Sequence, residues 1–157
     1  MNKIESEINK LEEHLNIKLP ENFKNFLIKL ENNFQNYIKD HSLDQIYTTK
    51  DSYYTIVKPH PYNAVFFKED FGSVRISYLY TLIDNPMNTI LNNFINVFQK
   101  KHESKEWLPF ADDGGGGYLC IGFQKYNFDK ISYINYDIQI IAESFDEFIN
   151  KCKTTYK

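Results

Sequence analysis

Two adjacent carboxylates running into four glycines, Asp112-Asp113-Gly114-Gly115-Gly116-Gly117, are the residues of this chain best suited to do chemistry. A glycine run can cradle phosphate when a Lys-Ser/Thr pair closes it and a helix N-terminus faces the anion. Here the glycines follow two acids that repel phosphate, and the apolar strand Tyr118-Leu119-Cys120-Ile121 leaves at once. Nor do the acids form a catalytic pair, because neighbours on an extended backbone point to opposite faces. Asp side chains accept hydrogen bonds from nearby backbone N–H groups, and glycine supplies positive φ, so the segment reads as a tight turn between two buried strands.

The other reactive side chains form no constellation. His14, His41, His60 and His102 include no i, i+4 pair, and none lies near Cys120 or Cys152 in sequence, so metal-ligand spacings are absent. Neither cysteine has a catalytic signature, and both fall in apolar contexts, Cys120 on a strand and Cys152 on a helix, as reduced core thiols would. No nucleophile elbow occurs. The expectation is no enzyme, no cofactor and no metal.

Charge narrows the partners. The 157 residues carry a net charge of −3, with 17 Lys and a single Arg, Arg75. Arginine is the preferred reader of phosphates and base edges, so its scarcity argues against nucleic acid. The basic groups Lys100-Lys101-Lys105 and Lys151-Lys153-Lys157 fit helix C-termini, where cations offset the negative dipole end. The first 20 residues are charged and amphipathic rather than a secretory leader, and no apolar run approaches the roughly 18 residues that span a bilayer. A cytoplasmic protein away from the membrane is expected. Thirteen Phe and 12 Tyr predict an aromatic interior, with tyrosines left over for contact area outside it.

The elements that must position the turn can be read from periodicity. Ile4, Ile8, Leu11 and Leu15 predict a first helix ending near Asn16, with Asn2 and Glu5 as a capping box. Leu19-Pro20 opens a second helix with Phe23, Phe26, Leu27 and Leu30 inward, ending at Glu31-Asn32-Asn33, and residues 34–52 then read as loop with one helical turn. Strands are predicted at Tyr53–Val57, Ala64–Phe67 and Val74–Ile83, with an extended connection around His60. Asn85-Pro86 starts a third helix with the stripe Met87, Ile90, Leu91, Phe94, Ile95 and Phe98, its outer face carrying Asn88, Asn92, Asn93 and Asn96. That outer face lacks the cations a membrane-surface helix would carry. After the turn come strands at Tyr118–Phe123, Ile131–Tyr136 and Ile138–Ala142. A helix capped by Ser144 and Glu147 closes the chain, with Phe145, Phe148, Ile149 and Cys152 inward. The result is a single α+β domain over residues 1–157, a mixed, mostly antiparallel sheet with helices packed around it.

Taken in order, these landmarks resemble a known family. An amphipathic helix leads to Leu19-Pro20-Glu-Asn-Phe23-Lys24-Asn-Phe26-Leu27. Leu108-Pro109-Phe110-Ala111-Asp112-Asp113-Gly114-Gly115-Gly116 precedes Tyr118-Leu119-Cys120, and Ile131-Ser-Tyr133-Ile134-Asn-Tyr136-Asp137 and Ala142-Glu-Ser144-Phe145-Asp-Glu147-Phe148 follow. The pattern is similar to the SUKH superfamily, which includes Smi/Knr-type cell-wall-assembly regulators and bacterial toxin-immunity proteins. The family commonly ends its second helix with Asn-Gly-Gly, where this chain has Glu31-Asn32-Asn33, and often places an acid where Gly117 stands. The resemblance implies a monomeric binding protein, an immunity protein that neutralises a cognate protein toxin. The alternative it implies is a regulatory interaction module without a toxin. Residues flanking strand ends and the glycine turn, Tyr53, Tyr54, Asp112, Asp113 and Tyr118, are the expected partner contacts.

Overall fold

A computed structural model describes residues 3–40, 64–68, 72–75, 78–80, 82, 89–99 and 105–154 of the chain. Helix α1 (Lys3–Leu15) places Ile8 and Leu11 inward and ends where the sequence reading put it. Asn16 adopts φ 56°; its N–H donates to Glu13 O at 3.2 Å and that of Ile17 to Glu12 O at 3.1 Å. These crossed bonds satisfy two orphan carbonyls of the last turn, and Asn is one of the few residues that tolerates the left-handed conformation they need.

Helix α2 (Glu21–Asp40) starts at the predicted place, the carbonyl of Pro20 accepting from the Lys24 N–H at 3.0 Å. It does not stop at Glu31-Asn32-Asn33. Glu31 is buried, and its carboxylate accepts from the Leu82 N–H at 3.1 Å, so it ties the helix to a distant part of the chain rather than ending it. The two asparagines cost such a helix less than ~1 kcal/mol each in propensity, which packing readily offsets. The predicted loop at 34–52 is therefore helix as far as Asp40. The rest of it, the strand Tyr53–Val57 and the connection at His60 lie outside the described residues.

The described strands form two sheets. One has the order β2 (Gly72–Arg75), β1 (Ala64–Lys68), β8 (Cys152–Thr154); the other runs β3 (Tyr78–Leu79), β4 (Trp107–Asp112), β5 (Tyr118–Gly122), β6 (Ile131–Ile134), β7 (Ile138–Ala142). The expected α+β class holds, and every pairing among the described residues is antiparallel. The predicted strand Val74–Ile83 is divided between the two sheets as β2 and β3. Cys152, expected on the last helix, lies instead on β8, paired with Phe66.

Helix α3 (Ile90–Asn93) continues directly into a π-helical turn (Phe94–Phe98), in which the Gln99 N–H reaches back to Phe94 O. The cap of this helix is Thr89, in extended conformation, whose hydroxyl accepts from Asn92 N–H at 3.2 Å; the expected start at Asn85-Pro86 lies outside the described residues. Wider winding keeps residues four apart on one line, so Ile90, Phe94 and Phe98 make one buried row. Asn93, expected on the polar face, is buried.

β4 and β5 are buried along their length except at Asp112, and since alternate residues face opposite ways, both faces of the sheet centre are covered. A bulge at Phe110, between the pairs Pro109–Cys120 and Ala111–Leu119, accommodates a proline in a central strand. The Phe110 ring lies 5.5 Å from Phe23 of α2 and 5.8 Å from Phe148 of α4 (Phe145–Lys151). Phe145 sits 5.3 Å from Phe23 and 5.0 Å from Phe26, in the edge-on and tilted geometries aromatic quadrupoles favour. From the other side Phe98 packs on Tyr118 at 5.3 Å and Phe94 on Phe123 at 6.1 Å. The aromatic interior thus locks β4 and β5, and the turn between them, in place. Ser144 caps α4 as predicted, its Oγ accepting from Glu147 N–H at 3.1 Å, while the Glu147 carboxylate accepts from Glu143 N–H at 2.9 Å.

Candidate partner-binding surface

The β4–β5 turn is built almost entirely from its own polar groups. Asp112 Oδ1 accepts from Gly114 N–H at 2.9 Å, and Asp113 Oδ1 accepts from Gly115 N–H at 2.7 Å and Gly117 N–H at 2.9 Å. The Asp113 N–H closes the turn onto Gly117 O at 3.0 Å. The outer carboxylate oxygens take phenols: Tyr80 donates to Asp112 Oδ2 at 2.8 Å, and Tyr133 donates to Asp113 Oδ2. Glycine is required here twice over. Gly114 and Gly116 have φ of 77° and 96°, and a Cβ on Gly117 would lie 2.2 Å from the Tyr133 hydroxyl oxygen. An acid at position 117 would have to displace that ring.

Electrostatics follow from the same contacts. Burial, then the charge and hydrogen bond of Asp112, push the Tyr80 phenol far up; burial, then the bond to Asp113, push Tyr133 up to about 12. Tyr118 is likewise raised, by burial first and then by Asp112. These phenols stay protonated, and those of Tyr80 and Tyr133 donate to the two carboxylates. Burial also raises the Cys120 thiol well above its usual value, so this free thiol is a poor nucleophile at neutral pH.

Asp112, Asp113 and Tyr118 of the expected contacts are therefore brought together, whereas Tyr53 and Tyr54 lie outside the described residues. Tyr118 packs into the interior at 8 % exposure and offers a partner little area. What sequence reasoning missed is Tyr136. It falls at the apex of the β6–β7 hairpin, which closes at the same end of the sheet as the glycine turn, with Tyr118 paired to Ile134. Read as the last residue of a strand it should have been half buried; on a three-residue turn, with Asn135 N–H donating to Asp137 O at 3.3 Å, it is 97 % exposed. Ile138 beside it is also exposed. The only sequence signal for this was the polar pair flanking the tyrosine, Asn135 and Asp137.

A surface of this kind, aromatic and apolar side chains beside a rigid hydrogen-bonded turn, suits the capture of another polypeptide. The sequence model of the SMI1/KNR4 family (SUKH-1) matches residues 5–151. The chain belongs to that family. Membership covers both helical ends, the glycine turn and the Tyr136 hairpin, and it fits an immunity or regulatory protein-interaction module; members are in general binding proteins rather than enzymes. No curated protein matches this SUKH-1 chain. Among its described residues no group of three His, Cys, Asp or Glu is gathered as a metal would need, and no helix is long and apolar enough to cross a membrane.

Proposed function

We propose that this SUKH-1 protein is a cytoplasmic, monomeric immunity protein that binds a cognate secreted polymorphic or contact-dependent toxin. It uses the end of the five-stranded sheet formed by the glycine turn and the Tyr136 hairpin. Support comes chiefly from Tyr136, an aromatic 97 % exposed on a hairpin whose neighbours are fixed by the Asp113–Tyr133 bond. Such a side chain loses little conformational freedom on binding and is of the type that dominates interface energetics. Tyr53 and Tyr54 belong to the proposal as further contacts, Asp112 and Asp113 as residues that hold the surface in shape. A mildly acidic protein of net charge −3 is also suited to a toxin with a basic, substrate-binding surface such as a nuclease.

Coexpression tests the reading. A candidate toxin domain should kill when expressed alone and be harmless with this protein, and Tyr136→Ala should restore killing while leaving the thermal midpoint unchanged. Killing that persists despite soluble wild-type protein excludes that toxin. A stable complex with a host regulatory protein and no protective effect would favour the regulatory module instead.

A further inference from the structure

The opposite end of the same strands carries a second surface, built on different residues. The β5–β6 loop is organised around Asn127, which is 1 % exposed. Its side-chain Oδ1 accepts from Gln124 N–H at 2.9 Å and its Nδ2 donates to Glu106 O at 3.0 Å. Its backbone N–H donates to Gln124 O at 3.2 Å, and its carbonyl accepts from Lys130 N–H at 3.0 Å. A Cβ on Gly122 would lie 2.1 Å from that carbonyl oxygen, so the loop sits directly on the strand backbone. Asp129, at φ 68°, ties the far side to α4 by accepting from Phe145 N–H at 3.3 Å.

A loop fixed in this way holds its flanking residues outward. Tyr126 and Phe128, on either side of Asn127, are 63 % and 46 % exposed. Tyr126 borders an open groove of about 760 Å³ lined also by Lys105, Glu106, Gln124 and Lys125. The acids around it are already engaged. Glu106 accepts the Tyr126 hydroxyl, Asp129 the Phe145 N–H, and Glu143 pairs with Lys130 at 3.3 Å. Lys105 and Lys125 are exposed and have no ion-pair partner among the described residues. On a chain of net charge −3, this is a rigid aromatic patch with two cations that are unpaired among the described residues.

We infer that the Tyr126–Phe128 loop is a docking surface for an acidic, apolar-containing segment of a protein partner. Carboxylates of that segment would meet Lys105 and Lys125, and its apolar side chains would lie on Tyr126 and Phe128. Because the loop is already ordered, little conformational entropy is lost on docking. The inference does not depend on the toxin reading, which uses the other end of the sheet.

The test is an amide-resolved NMR titration of the full chain with two pools of short random peptides. One pool is composed of Asp, Glu, Leu and Phe, and the other has Lys in place of the acids. The acidic pool should shift the amides of Lys105 and Gln124–Phe128, and added salt should weaken its binding. Each lysine contact is worth about threefold, so the doubly exchanged K105E/K125E protein should bind roughly tenfold more weakly. Tyr126→Ala should bind at least about fivefold more weakly, with an unchanged circular dichroism spectrum. The inference is overturned if the loop amides do not move at millimolar peptide, if the lysine pool moves them equally, or if K105E/K125E binds as wild type. Tighter binding of a single-stranded oligonucleotide at the same amides would also overturn it, making nucleic acid the occupant. None of these outcomes bears on coexpression with a toxin, so the two readings fail separately.

Discussion

Replacing Asp113 by alanine is the most direct test of the claim that the acidic pair shapes a turn. Three donors lose their acceptor: the N–H groups of Gly115 and Gly117 and the Tyr133 hydroxyl. Gly115 is exposed and rehydrates, so its loss is small, about 0.5 kcal/mol. Gly117 is buried, and a buried donor left without an acceptor costs about 1–3 kcal/mol. Tyr133 is half buried and trades a charge-assisted bond for water, adding about 0.5–1 kcal/mol. The sum is about 2–4.5 kcal/mol, which for a chain of this length lowers the thermal midpoint by roughly 6–14 °C. Urea unfolding should show a lower midpoint with unchanged slope, because the surface exposed on unfolding is the same. Asp113→Asn is the informative companion. Its amide oxygen can still accept both glycine N–H groups, so it should lose only about 1 kcal/mol. An Asp113→Ala protein within ~0.5 kcal/mol of wild type would refute the reasoning, since the turn would then hold without its carboxylate.

Three further outcomes are expected. In a glycine-to-alanine series, Gly115→Ala should stay within ~0.5 kcal/mol of wild type, since a Cβ there meets nothing closer than Asp113 at 3.6 Å, while Gly114→Ala and Gly116→Ala should each lose about 1 kcal/mol or more by chemical denaturation. Gly117→Ala should lose about 1–3 kcal/mol in wild type and far less in a Tyr133→Ala background, because the obstruction is that ring; equal losses in both backgrounds would contradict it. Stability should fall as pH rises from about 10 to about 12. Tyr133 and Tyr126 have folded-state values pushed up to about 12 from 10.0, so the unfolded chain releases these protons first; pH-resolved urea unfolding should show a shallower decline for Tyr133→Phe.

Much of the fold is legible in the sequence wherever local chemistry and tertiary packing agree. Asn16 ends α1 because a left-handed residue was needed there and Asn tolerates it; Ser144 and Glu147 start α4 because their side chains reach the first free N–H groups. The glycine turn is legible for the same reason, since carboxylates beside glycines have one common use. The failures come where a distant group decides. Nothing near Glu31 in sequence shows that Leu82, far along the chain, presents an N–H to its carboxylate and so carries α2 through two asparagines. Asn93 and Asn127 look like surface residues by composition, yet both are buried, and Asn127 finds its partners on Glu106 and Gln124. The proposed surface was half legible: the turn residues Asp112 and Asp113 announce themselves by type, while Tyr136 stands out only once the hairpin register is known.

The two ends of the five-stranded sheet obey the same physical rule with different residues. At one end Asp112 and Asp113, and at the other Asn127, consume the backbone N–H groups of a turn and leave it rigid without help from outside. A turn satisfied from within does not need its outward side chains. Tyr126 and Phe128 are therefore released from any duty to the interior, and Tyr136 on the hairpin beside the glycine turn has none either, since the core cluster that holds α2, β4 and α4 together includes none of the three. Substitutions at those three positions should change what the protein binds with little cost in stability, whereas substitutions at Asp113, Gly117, Gly122 or Asn127 change the shape on which they stand. A binding protein built this way can alter its partner by exchanging a few exposed aromatics, and the separation of the two classes of position, stability for one and recognition for the other, is what makes that exchange inexpensive.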